Sequence, residues 1–116
     1  MKILTLLGIL FISSFTYEAN AQLLPTKLRV TVIDGLGNFV QGASVALYEN
    51  EEDYLASENP VAVLQTDKKG RVLFKDLKTI SYFIEAKKGE QTNDGEGVQT
   101  ATLSEGRVNR VNTVIE

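Results

Sequence analysis

The chain has 116 residues, a formal net charge of −3 at neutral pH, and no cysteine, histidine or tryptophan. This composition excludes disulfide bridges, a lipidated N-terminal cysteine, cysteine nucleophiles, histidine general bases and the usual zinc sites. The basic and acidic residues are interspersed without a basic stripe, so we expect no nucleic-acid binding.

The opening segment, MKILTLLGILFISSFTYEANAQ, has the layout of a secretory signal. Lys2 is followed by an apolar run over residues 3–12 and then by the cleavage-type motif Ala19-Asn20-Ala21. The run is about half as long as the roughly 20 residues that a membrane-spanning helix needs. We predict a signal peptide over residues 1–21, a single domain over residues 22–116, a periplasmic or secreted location, and no membrane insertion after cleavage.

The first half of the predicted domain contains short alternating runs separated by turn residues. KLRVTVI (27–33) and GASVALY (42–48) alternate with period two, and the glycine turn DGLGN (34–38) joins them. The polar, acidic segment ENEEDYLASENP (49–60) is predicted to be the longest loop, with a helical turn around Glu51–Ala56. VAVLQT (61–66) is the third predicted strand.

The second half continues with a tight hairpin, TDKKGR (66–71), in which Asp67 accepts from the backbone and Gly70 takes the left-handed position. RVLF (71–74) and ISYFIEAKK (80–88) are predicted strands that flank the link KDLKT (75–79).

The chain ends with a polar loop and two further runs. GEQTNDGEG (89–97) is the loop, and VQTATL (98–103) is expected to pair with RVNRVNTVIE (107–116) through the turn SEGR (104–107). In the last run Val108 has the opposite parity to Val111, which predicts a bulge near Asn109–Arg110.

Seven short strands with frequent turns and no long helix predict an all-β fold, a seven-stranded antiparallel Greek-key β-sandwich. The first and last runs are candidate edge strands, on which arginine and lysine would discourage pairing with other chains.

Two segments carry a resemblance to a known family. DGLGNFVQGASVALY (34–48) and TDKKGRVLFKDL (66–77) resemble the two signatures of carboxypeptidase regulatory-like and Cna B-type domains, and SYFIEAKKG falls where that family places a tyrosine-containing strand. The resemblance covers roughly residues 28–89 and implies a prealbumin-like β-sandwich. Because one fold hosts many functions, it implies little about activity.

The resemblance also raises the possibility of an internal isopeptide bond, which many domains of that family carry. Such a bond joins a lysine of the first strand to an asparagine or aspartate of the last, beside a buried acid whose pKa is raised by burial. Glu85 is the candidate acid, and Asn109 or Asn112 the candidate partner.

The isopeptide pattern fails at two positions. The family's lysine position falls on Thr31 or Val32, and its acid position falls on Ala86. Glu85 faces away from Tyr82 by the period-two rule. We therefore predict no isopeptide bond and a solvent-facing Glu85 that pairs with Lys87 or with a cation on a neighbouring strand.

The residues also bear on two further activities. The lactam hydrolase that shares the prealbumin-like fold uses histidines, which this chain lacks, so that activity is excluded. The loops ENEED (49–53) and NDGEG (93–97) offer oxygen ligands for calcium through Asn93, Asp94 and Glu96, but their spacing does not follow the EF-hand pattern.

The sequence therefore predicts a small exported, non-enzymatic β-sandwich protein, with no catalytic, cofactor-binding or metal-binding residues and no cofactor. Its predicted role is a binding or structural accessory module of the bacterial cell envelope, with an unidentified protein or glycan of the envelope as partner. The alternative is a surface adhesion or assembly component. A calcium-binding domain or one with an internal isopeptide bond is the weaker alternative.

Overall fold

The computed structural model describes residues 24–116, so the predicted signal peptide at residues 1–21 lies outside the described residues. Seven strands form two sheets, and one short helix lies outside them. This confirms the predicted β-sandwich. In chain order the elements are β1 (Lys27–Asp34), β2 (Ser44–Tyr48), α1 (Glu51–Ala56), β3 (Ala62–Gln65), β4 (Arg71–Phe74), β5 (Phe83–Lys88), β6 (Gln91–Thr92) and β7 (Val108–Ile115).

One sheet has three strands in the order β4-β1-β7. β1 therefore lies in the centre, and the prediction that it forms an edge is wrong, whereas β7 does lie at an edge. β1 pairs antiparallel with β4 but parallel with β7, from Lys27 opposite Val108 to Asp34 opposite Ile115. The other strand pairings are antiparallel, as predicted.

The other sheet has four strands in the order β3-β2-β5-β6. The core lies between the two sheets, because alternate residues of β1, β2, β4 and β5 point inward and are almost fully buried. Its members include Leu28, Val30, Val32, Val45, Leu47, Val72, Phe74, Ile84, Ala86 and Ile115. Tyr82 is buried with them, and its hydroxyl accepts from the backbone N–H of Lys78 at 2.9 Å.

The last strand contains no bulge. The parallel register of β7 with β1 runs without interruption through Asn109 and Arg110. Val111, Thr113 and Ile115 share the inward face, as predicted, while Val108 stays exposed on the other face. The predicted bulge is therefore wrong, because one exposed valine at a strand end costs less than a broken ladder.

The segment at residues 98–103 does not form the predicted strand, and it does not pair with β7. It lies instead beside β5, where Val98 accepts from the N–H of Ile84 at 2.7 Å and Thr100 donates to the carbonyl of Tyr82 at 2.8 Å. The observed structure instead has a strand that was not predicted, β6, inside the segment predicted to be a loop. The chain thus follows β5, leaves it over residues 94–97, and then returns to it.

Two turn aspartates hold the loops at one end of the sandwich. Asp34 accepts from the N–H groups of Leu36 and Asn38, and Asp67 accepts from those of Lys69 and Arg71. The backbone donor of Asn38 lowers the pKa of Asp34, and that of Arg71 lowers the pKa of Asp67. The predicted hairpin at residues 66–71 is confirmed.

The predicted helical turn is confirmed as helix α1. Asn50 caps its start by accepting from the N–H of Asp53 at 2.9 Å, and Ser57 ends it in the left-handed conformation. Three acidic residues occupy the first turn, where they suit the positive end of the helix dipole. Among residues 24–116 there is no helix with the length and hydropathy required to cross a membrane.

Candidate functional site

Glu85 lies on the outer face of the four-stranded sheet, under helix α1. Its carboxylate accepts from the hydroxyl of Tyr48 at 3.3 Å and from the hydroxyl of Ser57 at 3.0 Å. The ammonium group of Lys87 lies 3.4 Å from the same carboxylate. Glu85 therefore connects Tyr48 of β2, Ser57 at the end of α1 and Lys87 of β5.

Three aromatic rings pack together on the same face of the sheet, and one of them, Tyr48, binds the carboxylate. Tyr54 of α1 meets the ring of Tyr48 edge-on at 6.0 Å between centroids and stacks on Phe83 at 5.8 Å. Burial, and then the charge of Glu85, raise the pKa of Tyr48. Burial, followed by the charges of Asp94 and Glu85, raises the pKa of Tyr54. Both tyrosines therefore keep their protons at neutral pH, and the phenol of Tyr48 acts as a hydrogen-bond donor.

The prediction for Glu85 is correct in its direction and in its pairing but wrong in its exposure. Parity places Glu85 opposite the core, and Lys87 is its ion-pair partner, as predicted. Its side chain is nevertheless only 15% exposed, because α1 folds back over this face of the sheet. The arrangement holds the helix on the sheet, because Ser57 at its end and Tyr48 of β2 both bind the carboxylate.

Replacing Glu85 by glutamine is expected to lower the free energy of unfolding by about 0.5–1 kcal/mol, because the shape is kept but a charge-assisted contact is lost. It should also lower the pKa of Tyr48, since the nearby negative charge disappears. Urea unfolding and ultraviolet titration of the tyrosines measure the two effects. The exposed Glu90→Gln is the matched control and should change neither. A loss above about 3 kcal/mol would identify a buried structural charge instead.

The residues of the predicted isopeptide pattern are not brought together. Ala86 occupies the inward position on β5, and Glu85 faces away from β1 and β7. Asn109 uses its side-chain amide to donate to the carbonyls of Lys27 at 3.0 Å and Ser104 at 3.1 Å. Asn112 is exposed on β7, opposite Thr31 of β1. Asn109 therefore holds a loop in place.

Asn93 is not turned toward the other oxygen groups of its loop. It is 1% exposed, its amide oxygen accepts from the N–H of Ala86 at 3.0 Å, and its amide nitrogen donates to the carbonyl of Ile84 at 3.0 Å. The same nitrogen donates to the hydroxyl of Thr113 on the opposite sheet at 3.0 Å. Sequence reasoning missed this role, because an asparagine followed by Asp94-Gly95 in a polar segment resembles any solvated loop residue.

The remaining acidic groups of that loop stay at the surface. Asp94, Glu96 and Glu116 line an open pocket of about 370 Å³. Within residues 24–116, no three acidic side chains lie close enough together to hold a metal ion. Asn93, one of the predicted oxygen ligands for calcium, points into the core instead.

A second cleft, of about 510 Å³, lies on the outer side of the three-stranded sheet. It is lined by Arg29, Asp67, Lys68, Lys69, Arg71, Val72 and Leu73. The sequence shows no basic stripe, but strand pairing gathers separate basic residues here. Four of the seven lining residues carry a positive charge and one, Asp67, carries a negative charge.

No protein-family model and no curated protein matches the chain. Solved structures with a similar fold include the TIE protein of Bacillus anthracis, with a TM-score of 0.59 and 15% identity over 80% of this chain. A streptococcal ancillary pilin has a TM-score of 0.54 and 16% identity over 80% of this chain. The major pilin subunit of Bacillus cereus has a TM-score of 0.54 and 16% identity over 79%.

At these identities the likeness concerns the fold. The matched region is 16% of the TIE protein, 32% of the streptococcal pilin and 30% of the Bacillus cereus pilin. The chain thus resembles a β-sandwich domain of bacterial pilins and of the TIE protein, at low identity.

Proposed function

We propose that this chain is a non-enzymatic binding or structural module of the bacterial cell envelope, exported by residues 1–21 and related to carboxypeptidase regulatory-like and Cna B-type domains. The observation that carries the proposal is the basic cleft on the outer face of the three-stranded sheet, which suits recognition of an anionic partner. The fold shared with pilin domains supports an extracytoplasmic location.

A non-enzymatic role is further supported by the surroundings of the one acid that the family resemblance singles out. Glu85 lies under α1 and contacts two hydroxyl groups and a lysine, so its contacts are structural and hold α1 on the sheet. The histidine and cysteine chemistries are excluded by composition.

Export and envelope binding are tested with the full chain carrying a C-terminal tag in a bacterial host. We expect the protein outside the cytoplasm with Gln22 as its first residue, measured by cell fractionation and intact mass. The purified mature protein should then bind isolated envelopes saturably, with competition by untagged protein. Full-length protein retained in the cytoplasm, or envelope binding that untagged protein does not compete for, would contradict the proposal.

A further inference from the structure

The outer face of the three-stranded sheet concentrates positive charge. We define the basic face as Lys27, Arg29, Lys68, Lys69, Arg71 and Arg110. These are half of the chain's 12 lysine and arginine residues. Leu28 and Val30 of β1 point into the core, so the alternating residues Lys27 and Arg29 point outward. The same alternation places Arg71 of β4 and Arg110 of β7 on that side.

Strand register sets like charges next to each other on the basic face. Arg29 lies directly opposite Arg110 across the parallel β1–β7 ladder, and Arg71 lies opposite Thr31, one step diagonally from Arg29. Like charges at directly opposite positions of neighbouring strands are destabilising. A bound anion between the two guanidinium groups would replace this repulsion by attraction, and guanidinium groups match oxyanions with paired hydrogen bonds.

Asp67 lies near Arg71 and Lys69 and offsets part of the positive charge of this face, but no ion pair within residues 24–116 involves a residue of the basic face. The two ion pairs within residues 24–116 are Lys78–Glu49 and Lys87–Glu85, and both lie outside the basic face. The one acid that lines the cleft, Asp67, already accepts from the backbone N–H groups of its own turn. The Nε atom of Arg71 is buried and has no hydrogen-bond partner among the described residues.

We propose that the basic face binds a linear acidic polysaccharide through its carboxylate or sulfate groups. This inference rests on the proposed binding function and specifies its ligand. The cleft residues include no aromatic side chain on which a nucleobase could stack, so the site lacks a common element of single-stranded nucleic-acid recognition. A second copy bound symmetrically through this face is disfavoured, because it would bring two positively charged faces together.

The decisive experiment measures binding of labelled polygalacturonate oligomers to the mature protein by fluorescence anisotropy. Fully methyl-esterified oligomers have the same backbone without the charge and serve as the ligand control. We expect saturable binding of the acidic oligomers, little binding of the ester, and weaker binding as the salt concentration rises from about 50 mM to about 300 mM. Dextran sulfate against neutral dextran is the parallel arm that separates sulfate from carboxylate recognition.

The matched variants remove two positive charges from different surfaces. Arg29→Gln with Arg110→Gln should weaken binding about tenfold or more, because two charge-assisted contacts are lost. Lys78→Gln with Lys88→Gln makes the same charge change away from the basic face and should change the affinity less than about twofold. Circular dichroism and thermal unfolding verify that both variants fold.

Four results would overturn the inference: no binding of either acidic polysaccharide, equal binding of the ester, an equal loss in both double variants, or tighter binding of single-stranded DNA of the same charge. Self-association in light scattering that disappears with Arg29→Gln and Arg110→Gln would assign the face to a second copy instead. Envelope binding that persists without polysaccharide binding would overturn this inference alone, whereas failure of export or of envelope binding would overturn the proposed function.

Discussion

Replacing Gly70 by alanine is expected to destabilise the domain by about 3 kcal/mol or more. Gly70 has φ +70°, and an added Cβ would lie 2.6 Å from the carbonyl oxygen of Val32 and 3.1 Å from the backbone nitrogen of Val40. That carbonyl and that nitrogen are hydrogen-bonded to each other at 3.0 Å, and Val32 N–H donates to Gly70 at 2.7 Å. The methyl group would therefore push the hairpin away from β1 and break these backbone hydrogen bonds.

Gly37→Ala is the matched control for this prediction. Gly37 has φ +85°, but an added Cβ there would meet nothing within 4 Å. This variant therefore isolates the backbone cost of a left-handed alanine, about 1 kcal/mol. Urea unfolding of both variants measures the difference. Equal losses would show that close packing at Gly70 contributes nothing beyond its backbone conformation.

Replacing Asn93 by alanine should cost about 3 kcal/mol, the second large effect. The change leaves the N–H of Ala86, the carbonyl of Ile84 and the hydroxyl of Thr113 without the partners that the amide supplies. The exposed Asn112→Ala on β7 is the control and should change the free energy of unfolding by less than about 0.5 kcal/mol. Equal effects in chemical unfolding would contradict the role assigned to Asn93.

Asn93→Asp gives the same site a pH-dependent readout. The aspartate keeps the shape of asparagine, but as a carboxylate it cannot donate to Ile84 and brings a negative charge into a dry position. Burial favours the uncharged carboxyl, which can donate. The stability deficit relative to the natural protein should therefore be largest at pH about 7 and shrink as the pH falls toward about 5. A deficit that does not change over this range would contradict burial of the side chain.

The features that the sequence predicts well are local. Alternation over β1 identifies its buried residues, the spacing of Asp67 and Gly70 identifies the hairpin, and the acidic segment at residues 51–56 does form a helical turn. Each of these features depends on residues that are close together in the sequence. The same alternation places Glu85 on the correct face of its sheet.

The features that the sequence does not predict depend on pairing between distant segments. Nothing near Glu85 in sequence indicates that Ser57 and α1 will cover it. Nothing near Asn93 indicates that it will replace a strand partner for β5 and reach Thr113 on the other sheet. The basic face arises from the register of Arg29 with Arg110, which are far apart in the chain and meet only after the first and last strands pair.

The parallel pairing of β1 with β7 also determines how the domain would resist being pulled by its ends. The chain enters β1 at Lys27 and leaves β7 at Ile115, and the parallel register places these two residues at opposite ends of one ladder. With a rise of about 3.3 Å per residue, the ladder is about 23 Å long. Tension between the two ends acts along the strands and strains the hydrogen bonds between them together, in shear, instead of opening them one at a time. We therefore expect the β1–β7 ladder to be the part of the domain that resists such tension most strongly.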